Sequence, residues 1–257
     1  GSFLMDINEV EKKITSHTKA VIPVHYGGNP VEMDDLILLA NKYKLKIIED
    51  AAHAIGSSYR GHKIGSLKTD ATCFSFYATK SITCGEGGAI ITNHKKYADI
   101  IRSVSNNGMT KPAFKRFVNN RYIPWDVYNF GFKANLSDIN ASILEDQVAS
   151  YSKIANLKKK LFKKYKYNLS NIKEVSLPSE NKNKNRDYYL FPIGVDKKYR
   201  NKLIEYLLKN KIFVTVNFRS ISELHYYKKK YKNTKCPRSE KWGKETISLP
   251  FHVKLTE

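Results

Sequence analysis

Over its first hundred residues the chain alternates short apolar runs with longer stretches of helical spacing. The segment "ITSHTKAVIPVHYGG" reads as a turn, then a strand over 20–25, then a glycine stop. "MDDLILLANKYKL" places Leu36, Leu39, Ala40 and Tyr43 on one helical face. "KIIED" is a short apolar strand ending in two acids, "TDATCFSFYA" is a third strand, and "GGAIITN" is a fourth bounded by Gly87, Gly88 and Asn93. "HKKYADIIRSVSNNG" predicts a helix closed by Gly108. Strands alternating with helices indicate an α/β domain built on a mostly parallel central sheet.

From Asn135 the character changes. "NLSDINASILEDQVASYSKIANLKKKLFKKY" is a long helical pattern, with Ser137 placed to cap it and Asp138 suited to its positive end. Beyond it "RDYYLFPIGV", "RNKLIEYLLKNKIFVTVNF" and "TISLPF" predict strand, helix followed by strand, and strand. These make a smaller α+β unit. The boundary is placed near residue 150, inside the long helix, giving a large domain over 1–150 and a small one over 151–257. The Asn/Lys-rich stretch 180–185 reads as a loop, and no internal repeat is visible.

Composition narrows the class. The 257 residues suit one large domain or two smaller ones, and 41% hydrophobic content is enough for a packed core. Cys73, Cys84 and Cys236 lack the spacing of a zinc site or a disulfide framework, so no metal is expected and a reducing cytoplasm is the natural compartment. No apolar run approaches the roughly 20 residues that span a bilayer, and no signal peptide is visible. The first residue is not methionine, so an altered or truncated start is expected. The formal charge of +21 comes mostly from lysines in runs such as "KKKLFKKYKY" and "YYKKKYKNTK". Solvated helix faces and a polyanion-binding surface both fit those runs, but no nucleic-acid motif accompanies them.

Two stretches carry candidate chemistry. Ligands of open parallel sheets bind beyond the carboxyl ends of strands. In "KIIEDAAHA" Asp50 falls at such an end, with His53 three residues later. An acid there can pair with a cationic heterocycle nitrogen; equally, Asp50 can cap a helix with His53 an ordinary polar neighbour. In "FSFYATKSITCGEGGAIITN" Lys80 follows a strand, with Ser75 five residues earlier and a glycine-rich turn after it. A lysine held in a site forms a Schiff base with an aldehyde when its amine is unprotonated, and a nearby serine donates to a phosphate. The alternative is one more surface lysine in a lysine-rich chain.

The order of these elements resembles the DegT/DnrJ/StrS family of pyridoxal-phosphate-dependent nucleotide-sugar aminotransferases, of the aspartate-aminotransferase fold (fold type I). The resemblance is carried by "TKAVIPVHYGGNPVEMDDL", "IIEDAAHAIGSSYRGHKIGS", "DATCFSFYATKSITCGEGGAIITN" and "GFKANLSDINASI", and it continues through "KYKNTKCPRSEKWGKETISLPFHVKLTE". On that resemblance Lys80 is the Schiff-base lysine and proton shuttle. Asp50 pairs with the pyridine nitrogen, His53 sits against the ring hydroxyl and Ser75 contacts the phosphate. Asn135 resembles the residue that reaches the partner subunit's cofactor, which implies a homodimer. "NNGMTKPAFKRF" is similar to a segment of enzymes that aminate carbon 4 of nucleotide-linked sugars. Arg219 lies in a stretch that approaches the active site in relatives and is a candidate substrate-binding residue. The substrates implied are L-glutamate and a keto sugar joined to a nucleotide diphosphate, for surface polysaccharide or glycan synthesis.

Relatives also carry a segment before "FLMDINEVEKKI" that supplies a phosphate-binding helix start and a ring stacked on the cofactor, and a closing helix after "SLPFHVKLTE". On the same resemblance, the chain is expected to lack both. A non-catalytic subunit or pseudoenzyme is therefore the competing class, opposed by the presence of Lys80 and Asp50. A dehydrating relative usually has histidine at the lysine position, which Lys80 opposes. A nucleic-acid or membrane partner is not expected.

Overall fold

The computed structural model describes residues 3–109, 117–118, 121–180, 183–232 and 234–255. In chain order, α1 (Ile7–Glu11) precedes β1 (Ala20–Val21), and α2 (Met33–Tyr43) leads into β2 (Lys46–Asp50). A hairpin of β3 (Ser58–Tyr59) and β4 (His62–Lys63) comes next, then β5 (Ala71–Ser75), β6 (Gly88–Ile91) and α3 (Lys95–Val104). The main sheet has the order β1-β2-β5-β6; the first three strands are parallel and β6 is antiparallel. A parallel return needs a crossover, usually a helix. The segment joining β5 to β6 contains none, so the chain folds straight back.

The expected strand over 20–25 is shorter than its apolar run. Pro23 has no N–H to give the ladder. β1 therefore ends at Val21, and pairing resumes only as a bridge between Val24 and Asp50. Pro23 still contributes its carbonyl, which accepts the Asp50 N–H at 2.9 Å, and the His25 N–H donates to the Asp50 carbonyl at 3.1 Å. α2 presents Met33, Leu36 and Ala40 to a core that includes Val21, Val31, Ile47 and Phe74. Asp34 and Asp35 sit at its positive end, and Lys44 closes it in a left-handed conformation.

One buried group in this core is a carboxylate. The pleat of β2 turns Ile47 and Glu49 to the same buried face. His25 Nε2 lies 2.9 Å from one Glu49 oxygen, while the Thr69 and Thr72 hydroxyls donate to the other at 2.7 and 2.6 Å. The Val31 N–H donates to His25 Nδ1 at 3.1 Å, so the ring proton sits on Nε2 and points at Glu49. Burial pushes the Glu49 carboxyl up, but these bonds outweigh it and leave it below its ordinary value.

In the second half, β7 (Phe117–Val118) and β8 (Arg121–Tyr122) form a hairpin, and α4 (Asp138–Leu169) begins where the Ser137 hydroxyl accepts the Asn140 N–H at 3.2 Å. β9 (Val175–Ser176), β10 (Lys184–Asn185), β11 (Phe191–Val195), α5 (Lys197–Lys209), α6 (His225–Lys230), α7 (Pro237–Glu245) and β12 (Thr246–Leu249) complete the described elements. β12, β11 and β9 form an antiparallel sheet over a core that includes Phe162, Phe191, Ile193 and Ile247. The strand expected in "IFVTVNF" reduces to a single bridge between Thr215 and Ser248.

Several contacts among the described residues join the halves. The stretch expected as a loop, 180–185, contains β10, which pairs with β3 and so reaches back to the first half. Residues 181–182 lie outside the described residues, as does most of "NNGMTKPAFKRF". α4 runs unbroken across position 150. Gln147 bonds the Thr83 backbone and Lys158 bonds Ser81 on one side, while Phe162 enters the second core. Gly28 marks a close approach of backbones: its φ is +80° and a Cβ there would stand 1.7 Å from the Asp187 carbonyl oxygen. Only glycine fits.

Replacing Glu49 by Gln removes the charge that both threonines and His25 address. Urea unfolding is expected to show a loss of about 2–4 kcal/mol, with the slope against denaturant unchanged.

Candidate active site

Strand ends bring the candidate residues together. Asp50 closes β2 and pairs in register with Cys73, so it lies beside the end of β5 where Ser75 sits. One Asp50 oxygen, Oδ1, accepts the Ala52 N–H at 3.0 Å; Oδ2 has no hydrogen-bond partner among the described residues. The Ser75 hydroxyl oxygen accepts the Tyr77 N–H at 3.3 Å, which leaves its own proton free to donate. Both side chains are half-buried.

His53 sits in the turn after β2. The Gly27 N–H donates to its Nδ1 at 3.3 Å, so the ring carries its proton on Nε2. Gly27 follows His25 and Tyr26, and its position is therefore tied to the buried Glu49 pair. The His53 ring stacks on Tyr189 at 4.2 Å between centroids, with Phe218 at 6.1 Å and the edge of Tyr26 at 6.3 Å. Burial among these rings, with the Lys80 charge adding to it, pushes the imidazole down to about 3.

Lys80 emerges from the turn after β5, where its N–H donates to the Tyr77 carbonyl at 2.9 Å. It is half-buried, and its Nζ lies 5.0 Å from the centre of the Tyr189 ring. No carboxylate pairs with it among the described residues. Gly85, at φ +82°, turns the chain back, and a Cβ on Gly88 would stand 2.9 Å from the Phe74 carbonyl oxygen where β5 and β6 close. The glycines therefore serve the turn and the strand pairing.

Asn135 and Arg219 are placed differently. Both are exposed and make no side-chain hydrogen bond among the described residues. Asn135 lies two residues before Ser137, the cap of α4. Arg219 directly follows Phe218, whose ring lies against His53. Sequence reasoning missed Tyr26, Tyr189 and Phe218. "YYLF" reads as core strand by periodicity, and only the fold shows that Tyr189 turns to the lysine.

The chain matches the DegT/DnrJ/EryC1/StrS aminotransferase family over residues 1–257. It belongs to that family. The spore coat polysaccharide biosynthesis protein SpsC of Bacillus subtilis is 32% identical over 98% of this chain and 67% of SpsC. Among solved structures, Helicobacter pylori PseC, an aminotransferase involved in the biosynthesis of pseudoaminic acid, superposes with a TM-score of 0.90 at 25% identity, covering 98% of this chain and 67% of PseC. Spr1654 of Streptococcus pneumoniae in its PLP-form gives 0.88 at 25% identity, over 99% of this chain and 69% of that one. The mostly parallel main sheet described above, with its smaller α+β unit, is thus the α/β fold of this aminotransferase family.

The depressed His53 carries a pH consequence. An unfolded histidine titrates near 6.5, so between about 6.5 and 3 the unfolded chain binds the extra proton and the folded chain does not. The contribution is complete above pH 6.5 and is lost as pH falls. Stability should drop by up to about 1.4 kcal/mol per pH unit below pH 6. Urea titrations at pH 7, 6 and 5 are expected to show a steeper decline for the wild type than for His53→Gln.

Proposed function

We propose that this chain is a PLP-dependent aminotransferase that moves an amino group from L-glutamate to the carbon-4 keto group of a nucleotide-diphospho-sugar, in surface polysaccharide or glycan synthesis. The observation that carries the reading is Lys80: a half-buried lysine in the turn after β5, facing an aromatic ring rather than an acid among the described residues, with its charge felt at a neutral His53. Family membership and a relative in a PLP-form support the same cofactor.

The residues present fit pyridoxal phosphate. Asp50 keeps one oxygen open for a protonated ring nitrogen, His53 holds a proton on Nε2 for a ring oxygen, and Ser75 has a hydroxyl proton for a phosphate oxygen. When bound, the cofactor supplies an electron sink for the reacting carbon. Lys80 would hold the cofactor covalently and would take up and return the proton at the reacting carbon. Asp50 keeps the ring nitrogen protonated. The tyrosine and phenylalanine rings around His53 restrict water at that wall of the site. Arg219, exposed next to Phe218, is the candidate to meet a substrate anion in this reading, and the net charge of +21 favours an anionic sugar nucleotide.

The working form in this reading is a homodimer: Asn135 is exposed and makes no side-chain hydrogen bond among the described residues, which suits a residue that reaches a partner's cofactor. Three free cysteines suit a reducing cytoplasm, and no helix among the described residues is long and apolar enough to cross a membrane.

Added pyridoxal phosphate is expected to give a visible absorption band. Lys80→Ala should remove the band and lower transamination of a keto-sugar nucleotide by about 10²–10⁴-fold or more. Asp50→Ala should retain some cofactor but slow turnover. A wild-type chain without band or turnover would favour the non-catalytic subunit instead, and a Lys80→Ala chain keeping both would end this assignment of the lysine.

A further inference from the structure

Three consecutive residues of the lysine turn each meet one short segment of the second half. Thr79 Oγ1 lies 3.2 Å from the Tyr189 hydroxyl, and Lys80 Nζ lies 5.0 Å from the centre of the same ring. The Ser81 hydroxyl donates to Asp187 Oδ1 at 3.2 Å. Lys158, on α4, holds Ser81 from the other side, donating to its oxygen at 3.2 Å. Asp187 is only 2% exposed. Its backbone is anchored independently, because its N–H donates to Ser57 Oγ at 2.9 Å and Ser57 donates to the Gly28 carbonyl at 2.7 Å. A surface lysine in an ordinary loop needs no such support.

We propose that Asp187 and Tyr189 form a clamp that positions Lys80, with Ser81 and Lys158 transmitting the hold of Asp187. The proposal rests on Lys80 being the cofactor-bearing lysine. A lysine side chain is long and loses much rotamer freedom when it is held at one target. Reactive groups displaced by about 1 Å lose on the order of a hundredfold in rate. The clamp fixes the backbone on both sides of Lys80 and gives the side chain an aromatic face. That face attracts a cation without the lock that a carboxylate partner would impose. The same ring stacks on His53, so one tyrosine sets the lysine and the histidine relative to each other.

The probe is pyridoxal phosphate itself, followed by borohydride reduction and mapping of the labelled lysines, alongside amide hydrogen exchange and thermal unfolding of the free chain. Wild type should label at Lys80 in preference to other lysines. Asp187→Asn, Ser81→Ala and Tyr189→Leu should each slow labelling at Lys80 by about tenfold and speed exchange over residues 77–87, with the core strands unaffected. Tyr189→Phe keeps the ring and loses one hydrogen bond, so it should restore labelling to within about threefold of wild type. Labelling and exchange at wild-type values in all four variants would overturn the clamp. So would a loss of labelling shared equally by every lysine, which is general unfolding. If wild type shows no preference for Lys80, the cofactor role of Lys80 fails. Exchange over residues 77–87 then decides the clamp alone, and no change there removes it.

Discussion

A carboxylate buried in an apolar core is stable only if its charge is answered on every side, and Glu49 is the group around which the first half is arranged. His25 and two threonines supply three hydrogen bonds to it, from two separate parts of the chain. Because strand side chains alternate, holding Glu49 inward forces Asp50 to the opposite face at the strand's end. Because His25 must also accept the Val31 N–H, the turn that follows it is fixed, and with it the Gly27 N–H that His53 uses. Removing the pair would therefore disturb two candidate site residues without touching either directly.

The second constraint is the closeness of the two halves. The carbonyl of Asp187 occupies space that a side chain on Gly28 would need. That contact lets the 186–189 segment sit under the lysine turn, and Arg186 reinforces it by donating to the Gly27 carbonyl at 2.9 Å while its guanidinium lies over Phe162. One segment therefore binds the first half's glycine turn, the second half's aromatic core and the reactive loop. α4 does the same on a larger scale, with Lys158 on the turn and Phe162 in the second core about one helical turn apart. Motion of the second half relative to the first would be felt directly at Lys80.

The sequence revealed elements more readily than contacts. α2, β2, α3, α4 and β11 follow from spacing that a single window contains. The apolar run over 20–25 misled because hydrophobicity is silent about the missing N–H of Pro23. The strand in "IFVTVNF" failed because β-branched composition does not say whether a partner edge is available, and here only Thr215 finds one. β10 was invisible because two Asn/Lys-rich residues join β3 through backbone bonds, which leave no side-chain pattern.

The site shows the same division more sharply. Lys80 is one of 45 lysines and arginines, and nothing in its own neighbourhood of polar residues and glycines separates a reactive amine from a solvated one. The motif order drew attention to it, but the physical difference lies in what surrounds it. Its neighbours are a ring 109 positions later in the chain, a histidine stacked on that ring and kept neutral by burial, and a buried aspartate gripping the next residue. Apart from His53, each of these partners lay in a stretch that read as an ordinary strand or helix. Tyr189 lay in an aromatic strand, Asp187 stood beside an arginine, and Lys158 opened a lysine run that looked solvated. Local spacing could locate the lysine, whereas the features that make it chemically distinct arise only when the second half folds back onto the strand ends of the first.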